Sequence, residues 1–332
     1  MRYIKLLSGI LFMTFFFFAC NSKLDVNADW KDTTVVYGLL NQNDSVHYLK
    51  ITKAFLGAGN AIEFAQIPDS SIYPNNLEVK MEEYVDSVLH TTYVFDTTTA
   101  VKKDSGLFYY PYQLLYKSPG NLNENALYKL VIRNKTTGKI VSAKTSLIRH
   151  FEITNPQMYD QASFLPKKSS KVQWVSAVGG KRYQLVIRFH YIERLISDTS
   201  QHEDKYVDWL AFKNVKSQDI AGGRNMEFLI PGDAFYIVVG SHVPESELYY
   251  RLPRDVEYIF SVVGEDMNTY LEVTEPSNGI IQERPQFSNI TNGIGLFSST
   301  YDNRKDNSIL LQLSHQTLDS LKTNSHTKNR GF

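Results

Sequence analysis

The sequence of 332 residues is poor in cysteine and has no excess of charge of either sign. It contains one Cys, and its 35 Lys and Arg residues are balanced by 35 Asp and Glu. One cysteine excludes a disulfide framework and any zinc or iron–sulfur site built from several cysteines. A formal net charge of zero argues against a nucleic-acid partner, because such binding depends on many basic side chains that displace counterions.

Motifs that mark common enzymes and metal sites are also missing. The sequence has no His-Glu-x-x-His pair and no Gly-x-Ser-x-Gly nucleophile elbow. A Gly-x-Gly at residues 57–59 lacks the third glycine and the following helix of a dinucleotide loop. His190 and Glu193 are three positions apart on a predicted strand, so they point to opposite faces and do not share a metal. We therefore predict a non-enzymatic protein without cofactor or metal.

Long apolar runs are absent except near the first residue. Two basic residues precede an apolar run over residues 6–18, which ends at Ala19 and Cys20. A membrane-spanning helix needs about 20 apolar residues, so the run is too short to span a bilayer. A basic start, a short apolar run and a small residue at its end predict a secretory signal over residues 1–19.

The position of the only cysteine indicates which kind of signal this is. Ordinary signal peptidase prefers a small residue at −3, where this sequence has the bulky Phe17. A small residue directly before Cys20 resembles instead the relaxed lipobox of Bacteroidota lipoproteins. The cysteine thiolate is the nucleophile that accepts the diacylglycerol, and two or more acyl chains give stable anchoring. We predict that Cys20 is lipidated and that residues 20–31 form a polar tether.

The residue after the cysteine bears on the membrane to which the lipoprotein is sorted. Asn21 stands where many inner-membrane lipoproteins carry Asp, so we predict an outer-membrane location. Lys23 followed by Asp25 matches only part of the surface-export signal of Bacteroidota. The choice between the cell surface and the periplasmic face therefore stays open.

The pattern after the tether has a period of two residues, which is typical of half-buried strands. Seven short strands are predicted, at residues 33–40, 46–55, 77–84, 88–95, 106–110, 128–134 and 139–146. Gly138 predicts a hairpin turn between the last two. This density of strands favours an antiparallel β-sandwich over residues 32–150. The strand order over roughly residues 32–148 resembles that of transthyretin-like and carboxypeptidase-regulatory-like sandwiches.

The remaining sequence predicts a second, β-rich domain over residues 151–322. Long apolar strands are predicted at residues 181–193 and 256–264, and short helices at 231–243, 266–275 and 316–322. Residues 323–332 are polar and are predicted to form a disordered tail. The predicted fold class is thus mostly β, with two β-sandwich-like domains and a few short helices in the C-terminal one.

Several pieces of the second half resemble a family of uncharacterised Bacteroidota envelope lipoproteins, known as a domain of unknown function. These pieces are a helix carrying Met267, Tyr270 and Leu271, a loop with Pro285, and the NITNGIGLF segment at residues 289–297. The chain lacks the cysteines that many members carry in this half. The resemblance implies a transthyretin-like sandwich, a C-terminal β-rich domain and a TonB-dependent outer-membrane receptor as a partner in uptake. The glycines of the NITNGIGLF segment predict positive φ or a bulge before the last strands.

Tyrosines that cluster beside loop signals are the candidate binding residues. These are Tyr109, Tyr110, Tyr112, Tyr249 and Tyr250. Exposed tyrosines offer flat amphipathic faces to a sugar or to a protein. The alternative is that they pack in the sandwich core or along strand edges.

The preferred hypothesis is an outer-membrane, lipid-anchored binding or assembly protein, accessory to a TonB-dependent uptake system and with a glycan as one candidate ligand. One alternative is an accessory glycan or peptide hydrolase, which a deep pocket with clustered acidic residues favours. Another is a surface adhesin or pilus-like subunit, which an exposed unpaired edge strand favours. A flat aromatic patch favours the binding protein.

Overall fold

The computed structural model describes residues 33–54, 61–275, 286–305 and 308–332. About 50% of the described residues lie in strands and 14% in helices, which confirms the predicted mostly β class with several antiparallel sheets and few short helices. Cys20, the predicted tether and the Gly-x-Gly at residues 57–59 lie outside the described residues. None of the helices in the described ranges has the length and apolar character needed to cross a membrane.

The first half of the chain forms a sandwich of two sheets. Its strands are β1 (Thr34–Leu40), β2 (Val46–Lys53), β3 (Leu77–Val85), β4 (Val88–Val94), β5 (Asp96–Thr98), β6 (Leu115–Pro119), β7 (Leu127–Asn134) and β8 (Ile140–Ser146), and its short helices are α1 (Ala61–Ala65) and α2 (Pro68–Ser71). Strands β1, β2, β6 and β5 are neighbours in one sheet, and β4, β3, β7 and β8 form the other. Buried residues of both sheets, such as Val36, Leu49, Met81 and Leu130, share one core.

The alternation in the sequence explains which face each strand buries. On β3, Leu77, Val79 and Met81 are buried and the charged residues between them are partly exposed, as predicted. The predicted hairpin between β7 and β8 is confirmed, and Gly138 has a φ of +73° in its turn. Such a φ favours glycine because a side chain there is strained.

One predicted strand in this half is wrong. Residues 106–110 form part of a loop, whereas the following β6 was not among the predicted strands. Aromatic residues favour strands, but the backbone here bonds to a helix: Tyr109 N–H donates to the Ala65 carbonyl at 3.0 Å. The loop that results carries the aromatic residues to the surface.

The second half of the chain is built on three long strands. Its elements are β9 (Ile153–Asn155), β10 (Gln161–Ala162), β11 (Ser169–Val175), β12 (Arg182–Leu195), β13 (Asp198–Lys216), β14 (Asn225–Pro231), α3 (Gly232–His242), β15 (Tyr249–Val263), α4 (Glu265–Thr274), β16 (Gly293–Asp302), a 3-10 turn (Asn303–Lys305), β17 (Ile309–Leu313) and α5 (His315–Thr323). The three predicted helices are confirmed as α3, α4 and α5. The predicted strand at residues 256–264 lies within β15, which pairs with β12, β16 and β17 and is therefore central in the sheet.

The second core is dominated by aromatic residues on the buried faces of these strands. The ring of Trp174 stacks on that of Phe212 at 5.3 Å and contacts Phe260 edge-on at 5.5 Å. Phe164 stacks on Phe235 of α3 at 4.7 Å, which fixes the helix against the sheet. Aromatic pairs of this kind stabilise a core by about 0.5–1.5 kcal/mol beyond the area they bury.

The two halves are joined by a parallel pair of strands from opposite ends of the sequence. Strand β1 pairs with β16 from Thr34↔Gly293 to Leu40↔Ser299, so one ten-stranded sheet contains strands of both halves. Gly295 has a φ of +119°, and a Cβ there would collide with the Val36 carbonyl. Gly293 needs no positive φ, but its Cβ would approach the Thr34 carbonyl oxygen to 2.7 Å. In the NITNGIGLF segment, the backbone of β16 thus lies so close to that of β1 that only glycine fits at these two positions.

The polar tail is the second correction to the sequence-based expectations. Residues 323–332 were predicted to be a disordered tail, but Thr323 ends α5, residues 324–330 form turns and bends, and Thr327 is fully buried. The ring of Phe332 contacts those of Phe189 and Tyr191 at 5.7 and 5.6 Å. The buried guanidinium of Arg251 donates to the Arg330 carbonyl. The residues that contact the tail come from distant strands, so the local composition of the tail does not reveal these contacts.

Candidate binding site

A cleft of about 500 Å³ opens on the outer face of the first sheet. Its floor is formed by β1 and β2, and its walls by α2 and the loop between β5 and β6. The residues lining it are Val35, Tyr37, Lys50, Thr52, Lys53, Ala54, Pro68, Ser71, Ile72, Lys103, Phe108, Tyr109, Tyr112, Gln113 and Leu114. Aromatic and basic side chains therefore surround one cavity.

The floor of the cleft follows from the two-residue period of the β1–β2 hairpin. Val36 and Ile51 point into the core, so their neighbours point outward. The antiparallel register places Val35 opposite Thr52 and Tyr37 opposite Lys50. A tyrosine ring and a lysine thus lie side by side on the cleft floor.

The loop that forms the wall is held by backbone hydrogen bonds at both sides. Lys102 and Tyr112 form an isolated antiparallel bridge, and Lys103 N–H donates to the Pro111 carbonyl at 2.8 Å. The Tyr109 N–H bond to α1 fixes the far side of the loop. A loop closed in this way presents its side chains on a defined backbone.

The aromatic side chains of the wall are exposed instead of packed in a core. Phe108 is 46% exposed, Tyr109 38% and Tyr112 55%. Monomeric proteins rarely group large apolar side chains on their surface without a function. Flat rings in this position offer a stacking surface to a ligand.

The cleft is positively charged. The Lys50 ammonium donates to the Gln113 side-chain carbonyl at 3.3 Å. The Lys103 ammonium donates to the Phe108 carbonyl at 3.3 Å and lies 5.4 Å from the centre of that ring. Burial and the nearby charge of Lys103 lower the pKa of Lys50. None of the described residues that line the cleft is Asp or Glu.

A shallower hollow continues the cleft along the same sheet face. It shares Tyr37 and Lys50 with the cleft and extends over Tyr48 to Tyr270 on α4. The rings of Tyr37 and Tyr270 contact edge-on at 6.3 Å. Burial, together with the hydrogen bond to Tyr270, raises the pKa of Tyr37 to about 12. The aromatic surface therefore extends beyond the cleft itself.

The predicted binding tyrosines fall into two separate places. Tyr109 and Tyr112 line the cleft, and Tyr110 is exposed beside them without lining it. Tyr249 is half-buried and Tyr250 is exposed at the start of β15, next to the β12–β13 hairpin. That end of β15 is 12 residues, or about 40 Å along a strand, from the Ser261 end that pairs with β16. The structure thus brings together the first group only, and binding by either group stays a prediction.

Sequence reasoning missed the floor residues Tyr37, Lys50 and Lys53 and the wall residue Lys103. The signal for the floor was present, because the alternation that buries Leu49 and Ile51 also places Lys50 on the outer face. Residues 41–44 (NQND) are of the types that favour turns, and they connect β1 and β2 in the hairpin that places Tyr37 opposite Lys50. The position of Lys103 depends on the closure of the loop, for which the sequence gives no comparable signal.

The other titratable pairs do not form a comparable cavity. His190 Nδ1 lies 2.6 Å from Asp255, while Glu193 bonds to Arg251 on the opposite, buried face of β12, as its position in the sequence predicted. Glu83 is buried in the sandwich and accepts hydrogen bonds from Tyr93 and Tyr128 at 3.0 and 2.7 Å. Among the described residues, no three or more His, Cys, Asp or Glu side chains converge as metal ligands.

The structure thus shows a β-rich chain with a cleft lined by basic and aromatic side chains. Compared with models of known protein families and with curated proteins, the chain matches none. Its function is therefore argued from its own residues.

Proposed function

We propose that this protein is a binding component of a bacterial outer membrane, anchored through a lipid on Cys20, that captures a glycan in the cleft between β1, β2 and the loop of residues 99–114. The observation that carries the proposal is the grouping of four exposed or half-buried aromatic rings around one cavity, Tyr37, Phe108, Tyr109 and Tyr112. Aromatic rings bind the apolar faces of sugars, and their hydroxyl groups remain free to bond at the rim.

The hydrogen bonding of the floor favours a sugar over an extended peptide. A peptide that adds to a sheet needs an unpaired strand edge. Strand β1 is paired with β2 and β16, and β2 is paired with β1 and β6. The backbone groups of the floor are therefore used within the sheet, and side chains are what the cleft offers to a ligand.

The proposal is tested by glycan binding to the full-length protein in non-ionic detergent. Tyr112→Ala removes an exposed ring from the cleft, and we expect it to weaken glycan binding by about 2 kcal/mol, or roughly 30-fold. Tyr206→Ala is the matched control, because Tyr206 is 57% exposed, close to the 55% of Tyr112, and does not line the cleft. Equal affinities of wild type and Tyr112→Ala, measured by titration calorimetry, contradict the assignment of the cleft.

The anchor and the partner are tested separately. Cys20→Ala is expected to move the protein from the outer-membrane fraction to a soluble fraction, or to block its maturation. Affinity purification of the wild type from native membranes is expected to recover a TonB-dependent barrel, which supports a role in uptake. Recovery without a barrel, together with measurable glycan cleavage, favours the hydrolase instead.

A further inference from the structure

The proposed glycan site contains more positive charge than a neutral sugar needs. Lys50, Lys53 and Lys103 all line the cleft, and no acidic residue is among its described lining residues. Hydrogen bonding satisfies a neutral sugar without charge, and grouping ammonium groups together costs free energy through like-charge repulsion. A cluster of this kind is retained at a binding site when the ligand supplies the missing negative charge.

We infer that the ligand is an acidic glycan, whose carboxylate or sulfate groups are bound by Lys50, Lys53 and Lys103 while its sugar rings stack on the tyrosines of the cleft. This inference rests on the proposed function and names the class of its ligand. Two of the three lysines are placed next to aromatic residues of the cleft. Lys103 Nζ lies 5.4 Å from the centre of the Phe108 ring on the wall, and Lys50 is the cross-strand neighbour of Tyr37 on the floor.

Cations on two other sheet faces of the protein have carboxylate partners. On the outer face of β12 and β13, Arg188 forms two hydrogen bonds to Asp208, at 2.7 and 2.9 Å. On β3 and β7, Lys129 reaches Glu82 at 3.1 Å. In the cleft, by contrast, Lys50 donates to the side-chain carbonyl of Gln113, and Lys103 donates to the backbone carbonyl of Phe108. A carbonyl is a weaker partner than an anion, so a carboxylate or sulfate displaces it favourably.

The test compares glycans whose sugars share the galacto configuration but differ in charge. The full-length protein in non-ionic detergent is titrated with galactan, with polygalacturonate and with a sulfated galactan. We expect the two acidic polymers to bind about tenfold or more tightly than galactan. We also expect added salt to remove most of this difference, because it screens the lysines. A carboxylate ligand and a sulfate ligand are distinguished by which acidic polymer binds more tightly.

The variants assign the charge preference to the cleft. Lys103→Gln is expected to lose about tenfold in affinity for the acidic polymer and little for galactan. Lys103→Arg keeps the charge and is expected to restore binding. Lys213→Gln is the control, because Lys213 is exposed on β13 outside the cleft. Circular dichroism and thermal melting of each variant confirm that the fold is retained.

The possible failures point to different conclusions. If galactan and polygalacturonate bind equally and Lys103→Gln changes neither, the acidic-glycan inference is overturned while the glycan site stands. If none of the three polymers binds, the proposed function fails with it. If polyglutamate binds through the same lysines and Tyr112→Ala has no effect on it, the ligand is an acidic peptide, and the inference is equally overturned.

Discussion

Two sheet faces of this protein differ in whether their cations are paired with acidic side chains. On the outer face of β12, β13 and β15, cations lie beside anions, as in Arg188–Asp208 at 2.7 Å and Arg254–Asp204 at 3.1 Å. The cleft on the outer face of β1 and β2 is lined by Lys50 of that face and by Lys53 at the end of β2, and its described lining residues include no acid. A solvated face needs only mutual neutralisation, whereas an unneutralised cluster beside aromatic rings is suited to an anionic ligand.

The largest expected effect on stability comes from a charged pair that is buried instead of exposed on a sheet face. Arg251 is almost fully buried, and it bonds to Glu193 through Nε at 2.7 Å and Nη2 at 2.6 Å. We expect Arg251→Met to lower the free energy of unfolding by about 3–5 kcal/mol, because it leaves a buried carboxylate with one of its cations removed. Urea unfolding followed by circular dichroism measures this loss. A loss below about 1 kcal/mol is incompatible with the buried pair.

The next effect concerns a buried carboxylate that neutral donors satisfy. Burial raises the pKa of Glu83, but hydrogen bonds from Tyr128, Tyr93 and His90 outweigh it and bring the pKa below its usual range. We expect Glu83→Gln to cost about 1–3 kcal/mol, because the amide replaces one acceptor by a donor that faces other donors. Comparison of the urea midpoints of wild type and variant at neutral pH provides the measurement. An unchanged midpoint contradicts the role given to this network.

The same carboxylate predicts how stability changes with acid. A pKa that is lower in the folded protein than in the unfolded chain stabilises the fold above the unfolded value of about 4.3. This contribution is lost as the pH falls through the folded pKa of Glu83. We therefore expect the stability of wild type and Glu83→Gln to converge in acid, as measured by thermal melting from pH 7 to pH 3. Glu193, whose pKa is also lowered, adds a loss in the same direction to both proteins.

A smaller effect is expected when an acidic residue is added to the cleft. Its lysines can then form ion pairs of the kind found on the face of β12, β13 and β15. Thr52 lies on the cleft floor two residues from Lys50, on the same face of β2. We expect Thr52→Glu to change the free energy of unfolding by no more than about 1 kcal/mol. We expect it also to weaken binding of an acidic polymer, because the new carboxylate pairs with the lysine ammonium groups that would bind the polymer. Thr52→Gln is the control, and equal loss in both variants indicates a steric effect instead.

The smallest expected effect is on the paired face itself. Arg188 and Asp208 are partly exposed, at 23% and 43% of their side chains, so water competes with their attraction. Arg188→Ala is expected to cost about 1 kcal/mol or less in thermal melting and to leave ligand binding unchanged. The Arg188 guanidinium also lies 4.1 Å from the Tyr206 ring, and loss of this contact is included in that value. Weakened glycan binding in this variant contradicts the distinction between the two faces.

The sequence predicted the local elements better than their pairing. Period-two alternation identifies β2, β3 and β12, and the apolar run after Pro231 identifies α3. Such elements can be predicted because the spacing of apolar residues along the chain shows which face is buried. The aromatic residues 108–110 misled the same reasoning, since strand propensity does not say whether a partner strand is present. The pairing of β1 with β16 joins residues about 260 positions apart, and no local pattern specifies it. For the site, Tyr109 and Tyr112 were predicted, but the lysines required the hairpin register and the loop closure.

The pairing of β1 with β16 has a consequence for the order in which the protein is made. The first core includes Ile290 and Phe297, which leave the ribosome long after the rest of the sandwich. The early strands therefore emerge with one flank of β1 unfilled and have to wait for the NITNGIGLF segment before their packing is complete. The first core is therefore completed only after nearly the whole polypeptide has been synthesised.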